Sequence, residues 1–196
     1  MDLNFQKAIE EFDKLNALDP NKIKSKGEIY PKELLYSNRM TDTLLSYDSN
    51  PSEIMQLTVR CQHLCRWEIP RSTYEQNRTG YLKWRKDLSK FHVQKTSIIL
   101  KDLEFEEDTI NKVTDLLKKK GLKTNPEVQL LEDVVCLVFL EYYFEQFSNK
   151  YNDEKMIEIL RKTWVKMSNK AQVRALKLKF SARSENLIKQ AISSKK

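Results

Sequence analysis

Two histidines, His63 and His92, are the only imidazoles in a chain of 196 residues. Helical period gives both of them a surface facing inward or into a cleft. Read as one helix over 52–67, Ile54, Leu57, Cys61, Leu64 and Cys65 form one apolar stripe at about 100° per residue. His63 stands on the opposite side, flanked by Val59 and Trp67. On a helix over 81–100, Tyr81, Trp84, Leu88, His92 and Ile99 share a stripe, which puts His92 on the buried face. A third helix, opening at Pro126, carries Glu132 and Asp133 between Leu131 and Val134. Carboxylates in such surroundings must be paired, hydrogen-bonded or metal-bound, or they protonate. These are the residue types of a divalent metal centre. His63, His92 and Asp133 would be its ligands, with Glu132 as a further ligand or a catalytic group beside them. The competing account is two core histidines, each bonded to a local carboxylate or carbonyl. No HExxH spacing decides between the two.

Between the histidines lies the most unusual stretch, residues 60–95. Arg60, Arg66, Arg71, Arg78, Lys83, Arg85, Lys86, Lys90 and Lys95 stand there against Glu68, Glu75 and Asp87. Trp67, Tyr74, Tyr81, Trp84 and Phe91 are interleaved with them. Arginine beside aromatic faces suits phosphate and base recognition, through bidentate hydrogen bonds and stacking. Arg66, Trp67, Arg71, Arg78, Tyr81 and Arg85 are the candidate substrate-binding residues, with Arg71 and Arg78 placed to act on a phosphoryl group. The plainer account is that the aromatics are core and the cations a solvated face.

Cys61 and Cys65 stand four apart on one helical face while His63 points away, so a CxHxC metal knuckle is geometrically poor. Buried structural thiols are expected instead. The run Lys166-Met167-Ser168-Asn169-Lys170 is similar to the KMSKS loop of class I aminoacyl-tRNA synthetases. No HIGH motif or parallel-sheet pattern accompanies it. It reads as a helix end meeting an N-cap serine.

The elements that must hold these residues are helices. Phe5, Ala8, Ile9, Phe12 and Leu15 share a face behind a capping Asp2. Residues 19–30, broken by Pro20 and Gly27, read as a loop. Pro31 opens a helix to about Tyr47, Pro51 opens the one over 52–67, and Pro126 opens a long one to about Phe147. That last helix is apolar nearly all round and is expected at the centre. Lys118-Lys119-Lys120 followed by Gly121 is a basic last turn with a C′ glycine. Further helices fall at 107–120, 153–168, 169–179 and 182–193, with a frayed tail at 194–196. The expectation is an all-α single domain over 1–196, a bundle of seven to nine helices around a buried helix at about 126–147.

Composition agrees. Only 3 Gly occur, where average usage near ~7% would give about 14, so glycine-loop nucleotide folds and Gly-rich β architectures are disfavoured. No charge-free apolar run reaches ~18 residues, so no membrane partner is expected. No secretory signal pattern is present, and 3 Cys, an odd number, suit a reducing, cytoplasmic setting. The net charge of +7 is modest beside 28 acidic residues. A small phosphate site, with a shallow salt dependence, is therefore expected over a grip on a long polyanion.

PKELLYSNRM (31–40), QHLCRWEIPR (62–71), GYLKWR (80–85), Phe91-His92, LKTNPEVQLLEDVVCLVFLEYYF (122–144) and LRKTWVKMS (160–168) resemble domain-of-unknown-function family 4202. The likeness runs from about residue 5 to 190. Some members carry glutamyl-tRNA synthetase labels, and the family brings no established activity. A second resemblance, to HD-type metal phosphohydrolases, rests on QHL at a helix end, a later inward histidine, and LEDVVCL in a central helix. It implies an HD-like all-α fold, with Asp133 matching the last aspartate, His63 at the His-Asp doublet and His92 an additional ligand. The chain departs from it in having no His followed by Asp.

The functional expectation is a metal-dependent phosphohydrolase acting on a nucleotide or other phosphate ester. Its metal would supply a hydroxide and neutralise phosphoryl oxygens. The alternative is a non-enzymatic RNA- or nucleotide-binding module that uses segment 60–95. A third account is an adaptor whose polar core only fixes the fold. Substrate, metal identity and oligomeric state are not encoded legibly.

Overall fold

The computed structural model describes residues 3–193. The Asp2 cap and the 194–196 tail lie outside the described residues. The fold is all-α, with one small hairpin. With the helical run from Pro126 to Ser148 counted as one, nine α-helices occur among the described residues. They fall into two units, one up to Lys120 and one from Gly121 onward. No helix among the described residues is long and apolar enough to cross a membrane.

The first unit holds α1 (Leu3–Ala17), β1 (Lys22–Ser25), β2 (Glu28–Pro31), α2 (Lys32–Tyr47), α3 (Glu53–Cys61), α4 (Arg78–Asp102) and α5 (Glu107–Lys118). Its core gathers the stripes expected from sequence: Phe5, Ala8 and Phe12 of α1 with Leu57 and Cys61 of α3. Leu64, Cys65, Ile99, Leu100 and three α5 residues, Ile110, Val113 and Leu117, complete it. Cys61 and Cys65 are buried free thiols, and burial pushes them up to about 12 and about 11. Both are inert packing groups at neutral pH.

Residues 22–31 are not a loop but an antiparallel hairpin, with Ser25 opposite Glu28 and Lys22 opposite Pro31. Lys26 and Gly27 turn the chain with φ of 50° and 90°, the two left-handed residues of a tight hairpin turn. Its strands have no buried face, so they carry no hydrophobic alternation to read. Pro31 ends β2 and precedes α2 rather than forming its first turn. It offers no side-chain cap. The cap comes from fourteen residues upstream, where the buried Asp19 accepts the Glu33 N–H through Oδ2 at 3.0 Å.

α3 stops at Cys61, short of the expected 67. Cys65 takes a left-handed φ of 52°, held where its N–H donates to Asn16 Oδ1 at 3.0 Å. His63 therefore sits in a turn and not on a helix face. At the other end of the unit, α5 finishes at Lys118 with a left-handed Lys119 (φ 52°) at its cap, and the expected Gly121 is left-handed as well (φ 83°).

Two short 3₁₀ turns, Arg66–Glu68 and Arg71–Thr73, lead to α4. Asn77 caps α4 by accepting the Gly80 N–H at 2.8 Å. A Cβ on Gly80 would lie 2.2 Å from the Glu75 carbonyl oxygen, so this turn folds onto the helix only because residue 80 has no side chain. Gly80→Ala should destabilise the protein by about 3 kcal/mol through overpacking. The urea midpoint by circular dichroism reads this, and a loss under about 1 kcal/mol would refute the steric argument.

The second unit holds α6 (Pro126–Val138), a π-turn (Phe139–Tyr143), α7 (Phe144–Ser148), α8 (Asp153–Lys166), α9 (Asn169–Ala175) and α10 (Ala182–Ser193). Asn125 caps α6 and Pro126 occupies its first turn, as expected. Leu131, Val134, Leu137, Val138, Leu140 and Phe144 are buried along the run. The π-turn inserts one wide turn into what the sequence presents as one regular helix.

Candidate functional site

The first turn of α2 and the turn after α3 bring together a buried carboxylate, an imidazole and a guanidinium. Glu33 is only 5% exposed. It falls in helical register with Ser37, Met40 and Leu44, all buried, so the stripe that packs α2 carries it inward. Its Oε2 lies 3.3 Å from His63 Nδ1, and the His63 side chain is 20% exposed. Tyr36, one turn after Glu33, stacks on the His63 ring at 4.1 Å and 15°. His92, 6% exposed on α4, has its ring centroid 6.0 Å from that of His63. Its Nε2 is buried with no hydrogen-bond partner.

Arg66 closes the group. Its Nη1 lies 2.7 Å from His63 Nε2 and 3.2 Å from Nδ1. Near-equal reach to both ring nitrogens puts Nη1 over the face of the imidazole, on the in-plane lone pair of neither. The guanidinium carbon lies 5.0 Å from the centroid of the Trp84 ring, and Trp84 is fixed by donating Nε1–H to the Ile69 carbonyl at 2.9 Å. The aromatic neighbour thus aims the arginine at the histidine.

Electrostatics make this a neutral pair in a positive field. Burial, then Arg66, Lys119 and Lys32, hold His63 well below its ordinary range. Burial, followed by His63 and Arg66, pushes His92 down to about 3. Burial raises Glu33, against the pull of Arg66, Lys32 and His92. The His63–Glu33 approach is therefore a close contact between an uncharged imidazole and a carboxyl of raised pKa, not an ion pair.

Segment 60–95 divides into inward and outward residues. Arg60 binds Asp13 of α1, with Nε 2.6 Å from Oδ1. Arg71 donates to the backbone carbonyls of Tyr74, Glu75 and Asn77, so it clamps the turn before α4. Its expected phosphate role gives way to a structural one, because each arm already holds a carbonyl. Trp67 is half-buried against the core of the first unit. Arg78 and Arg85 are exposed, Arg85 lying 5.9 Å from the centroid of the Tyr81 ring.

Glu132 and Asp133, in the second unit, serve the α8–α9 corner. Asp133 Oδ1 accepts the Ser168 N–H at 2.8 Å and Gln129 Nε2 at 2.9 Å, while Oδ2 accepts the Ser168 hydroxyl. Ser168 in turn caps α9 by accepting the Ala171 N–H. Glu132 pairs with Lys166 at 3.2 Å. The KMSNK run is the helix end and serine cap expected from sequence.

Residues 6–188 match a family model described as domain of unknown function (DUF4202). The chain belongs to this family. No curated protein and no solved structure matches it significantly.

Against the DUF4202 sequence, the structure brings together His63, His92 and Arg66, three of the residues singled out above. To these it adds Glu33 and Tyr36, both inside the motif PKELLYSNRM. A signal for Glu33 exists, since its place on the Ser37–Met40–Leu44 stripe marks a carboxylate turned inward. Glu33, His63 and His92 do not form a metal cage. The permanently charged Arg66, lying against the His63 ring, opposes a second cation beside it. Among the described residues no group of three or more His, Cys, Asp or Glu side chains could hold a metal ion.

Proposed function

We propose that this DUF4202 protein binds a phosphorylated small molecule of nucleotide size at the Glu33–His63–Arg66 cluster. One observation carries the reading: the Arg66 guanidinium lies against the half-buried His63, 2.7 Å from Nε2, and Lys119 and Lys32 add to the positive field there. Opposed to them stands a single buried carboxyl, Glu33, whose pKa burial already raises. A half-buried positive excess of this kind is satisfied by an anion, and a phosphate brings several acceptor oxygens for one guanidinium. Arg66 supplies the bidentate donor, Lys32 is exposed beside it, and Tyr36 presents an aromatic ring over His63. The unpartnered Nε2 of His92 is a further polar atom in the same cluster. Binding is favoured over metal-assisted hydrolysis because the permanent charge of Arg66 against His63 opposes a metal cation there.

Titration calorimetry with 5′-AMP, inorganic pyrophosphate and adenosine tests the reading. The two phosphates should bind with sub-millimolar Kd and adenosine should not. Arg66→Met should weaken phosphate binding at least tenfold, by analogy with other lost charge-assisted contacts. Absence of binding by both phosphates, or binding that Arg66→Met leaves unchanged, would overturn it.

A further inference from the structure

The first half of α4 presents a second positive surface, distinct in direction from Arg66. Arg78, Lys83, Arg85, Lys86 and Lys90 are all exposed along it. At 100° per residue they spread over one broad arc with Leu82 near its middle. Leu82 is 55% exposed and Tyr81, at the edge of the arc, is 43% exposed.

What separates these cations from ordinary solvated lysines is the lack of carboxylates. Elsewhere the helices pair surface lysines within one turn: Lys14 with Glu11, Lys112 with Asp108, Lys118 with Asp115, Lys155 and Lys162 with Glu158, and Lys189 with Glu185. On α4 none of the five makes an ion pair among the described residues, and Arg85 touches only the Tyr81 ring. The nearby acids are engaged elsewhere. Asp87 accepts the Tyr74 hydroxyl at 3.1 Å, and Glu75 accepts Asn77 Nδ2 at 2.9 Å.

We infer that this face of α4 is a docking surface for single-stranded RNA. Cations recurring about every 5.4 Å turn of a straight helix offer a row of contacts to a flexible phosphate backbone. An exposed tyrosine with an arginine against its ring offers a stacking position for an unpaired base. An acidic protein segment would use the charges but would have no need of the aromatic ring. The surface is distinct from the proposed phosphate-binding cluster, since Arg66 is turned towards His63.

Fluorescence anisotropy of the full chain with a labelled 12-nucleotide poly(U), between 25 and 200 mM salt, tests this. Four to five phosphate contacts at about 0.7 each predict a log–log slope near −3. Lys83→Glu combined with Lys86→Glu and Lys90→Glu should abolish binding while leaving the circular dichroism spectrum and 5′-AMP binding intact. Tyr81→Ala should weaken binding about five- to tenfold with an unchanged slope, as loss of a stacked base requires. A slope shallower than about −1, or indifference to the triple variant, would overturn the inference. So would a Tyr81→Ala variant that binds poly(U) like the parent, or poly-glutamate competing as well as poly(U).

Discussion

The protein should lose stability steeply as the pH falls from about 6.5 towards 5. His92 has a pKa of about 3 in the fold against an ordinary 6.5, and His63 is displaced in the same sense. Below pH 6.5 the unfolded chain takes up a proton at each of these histidines while the folded chain does not. Stability then rises with pH, by about 1.4 kcal/mol per pH unit for each such group. Glu33 acts the other way. Its folded pKa is raised above the ordinary 4.5, so above pH 4.5 the unfolded chain gives up its proton first and stability falls as pH rises through that window. Two histidines against one carboxyl leave a net gain of at least about 1.4 kcal/mol per unit, rising to about 2.7 where Glu33 no longer contributes. Urea midpoints at pH 5.0, 5.75, 6.5 and 7.5 measure it, the last step being nearly flat. His92→Leu should remove one proton from the balance and lower the slope by about 1.4 kcal/mol per unit. A stability that is level between pH 5 and 6.5 would mean that at least one of the rings is protonated in the fold, and the neutral histidine pair beside Arg66 would then be wrong.

That Arg66 joins the His63 cluster was not legible from helical period, for a specific reason. Treating 52–67 as one helix put His63 on the face opposite Cys61 and Cys65, where a metal or cleft could be imagined. The chain leaves the helix at Cys61 and turns left-handed at Cys65, and no glycine marks the place. A non-glycine residue in that region depends on the tertiary hydrogen bond that the Cys65 N–H donates to Asn16 Oδ1, which no local pattern displays. The elements dominated by burial were readable: the α1 stripe, the Asn125–Pro126 start of α6, and the Ser168 cap. Those set by contacts distant in sequence were not, such as the cap that Asp19 lends to α2. The basic segment shows the same limit. Composition treats residues 60–95 as one unit, whereas Arg60 and Arg71 are spent on Asp13 and backbone carbonyls, Arg66 turns towards His63, and the cations of the first half of α4 face outward.

Asp133 gives the largest single-residue effect expected in the second unit, and it separates a structural carboxylate from a metal ligand. The side chain is 3% exposed. Its two oxygens accept the Ser168 N–H, the Ser168 hydroxyl and Gln129 Nε2. Asp133→Ala leaves three donors without their acceptor where α8 gives way to α9, and should destabilise the protein by about 3 kcal/mol. Asp133→Asn should cost less, about 1–2 kcal/mol, because one oxygen remains an acceptor while the new amide opposes a donor. A carboxylate kept for a metal behaves in the opposite way, since removing it relieves a buried charge and leaves the metal-free protein as stable or more so. The decisive measurement is a double-mutant cycle with Ser168→Ala, read by urea denaturation in the presence of a chelator. A coupling of about 1–2 kcal/mol assigns Asp133 to the corner it ties. A coupling near zero, with Asp133→Ala as stable as the parent, would return Asp133 to the set of candidate ligands and reopen the hydrolase reading.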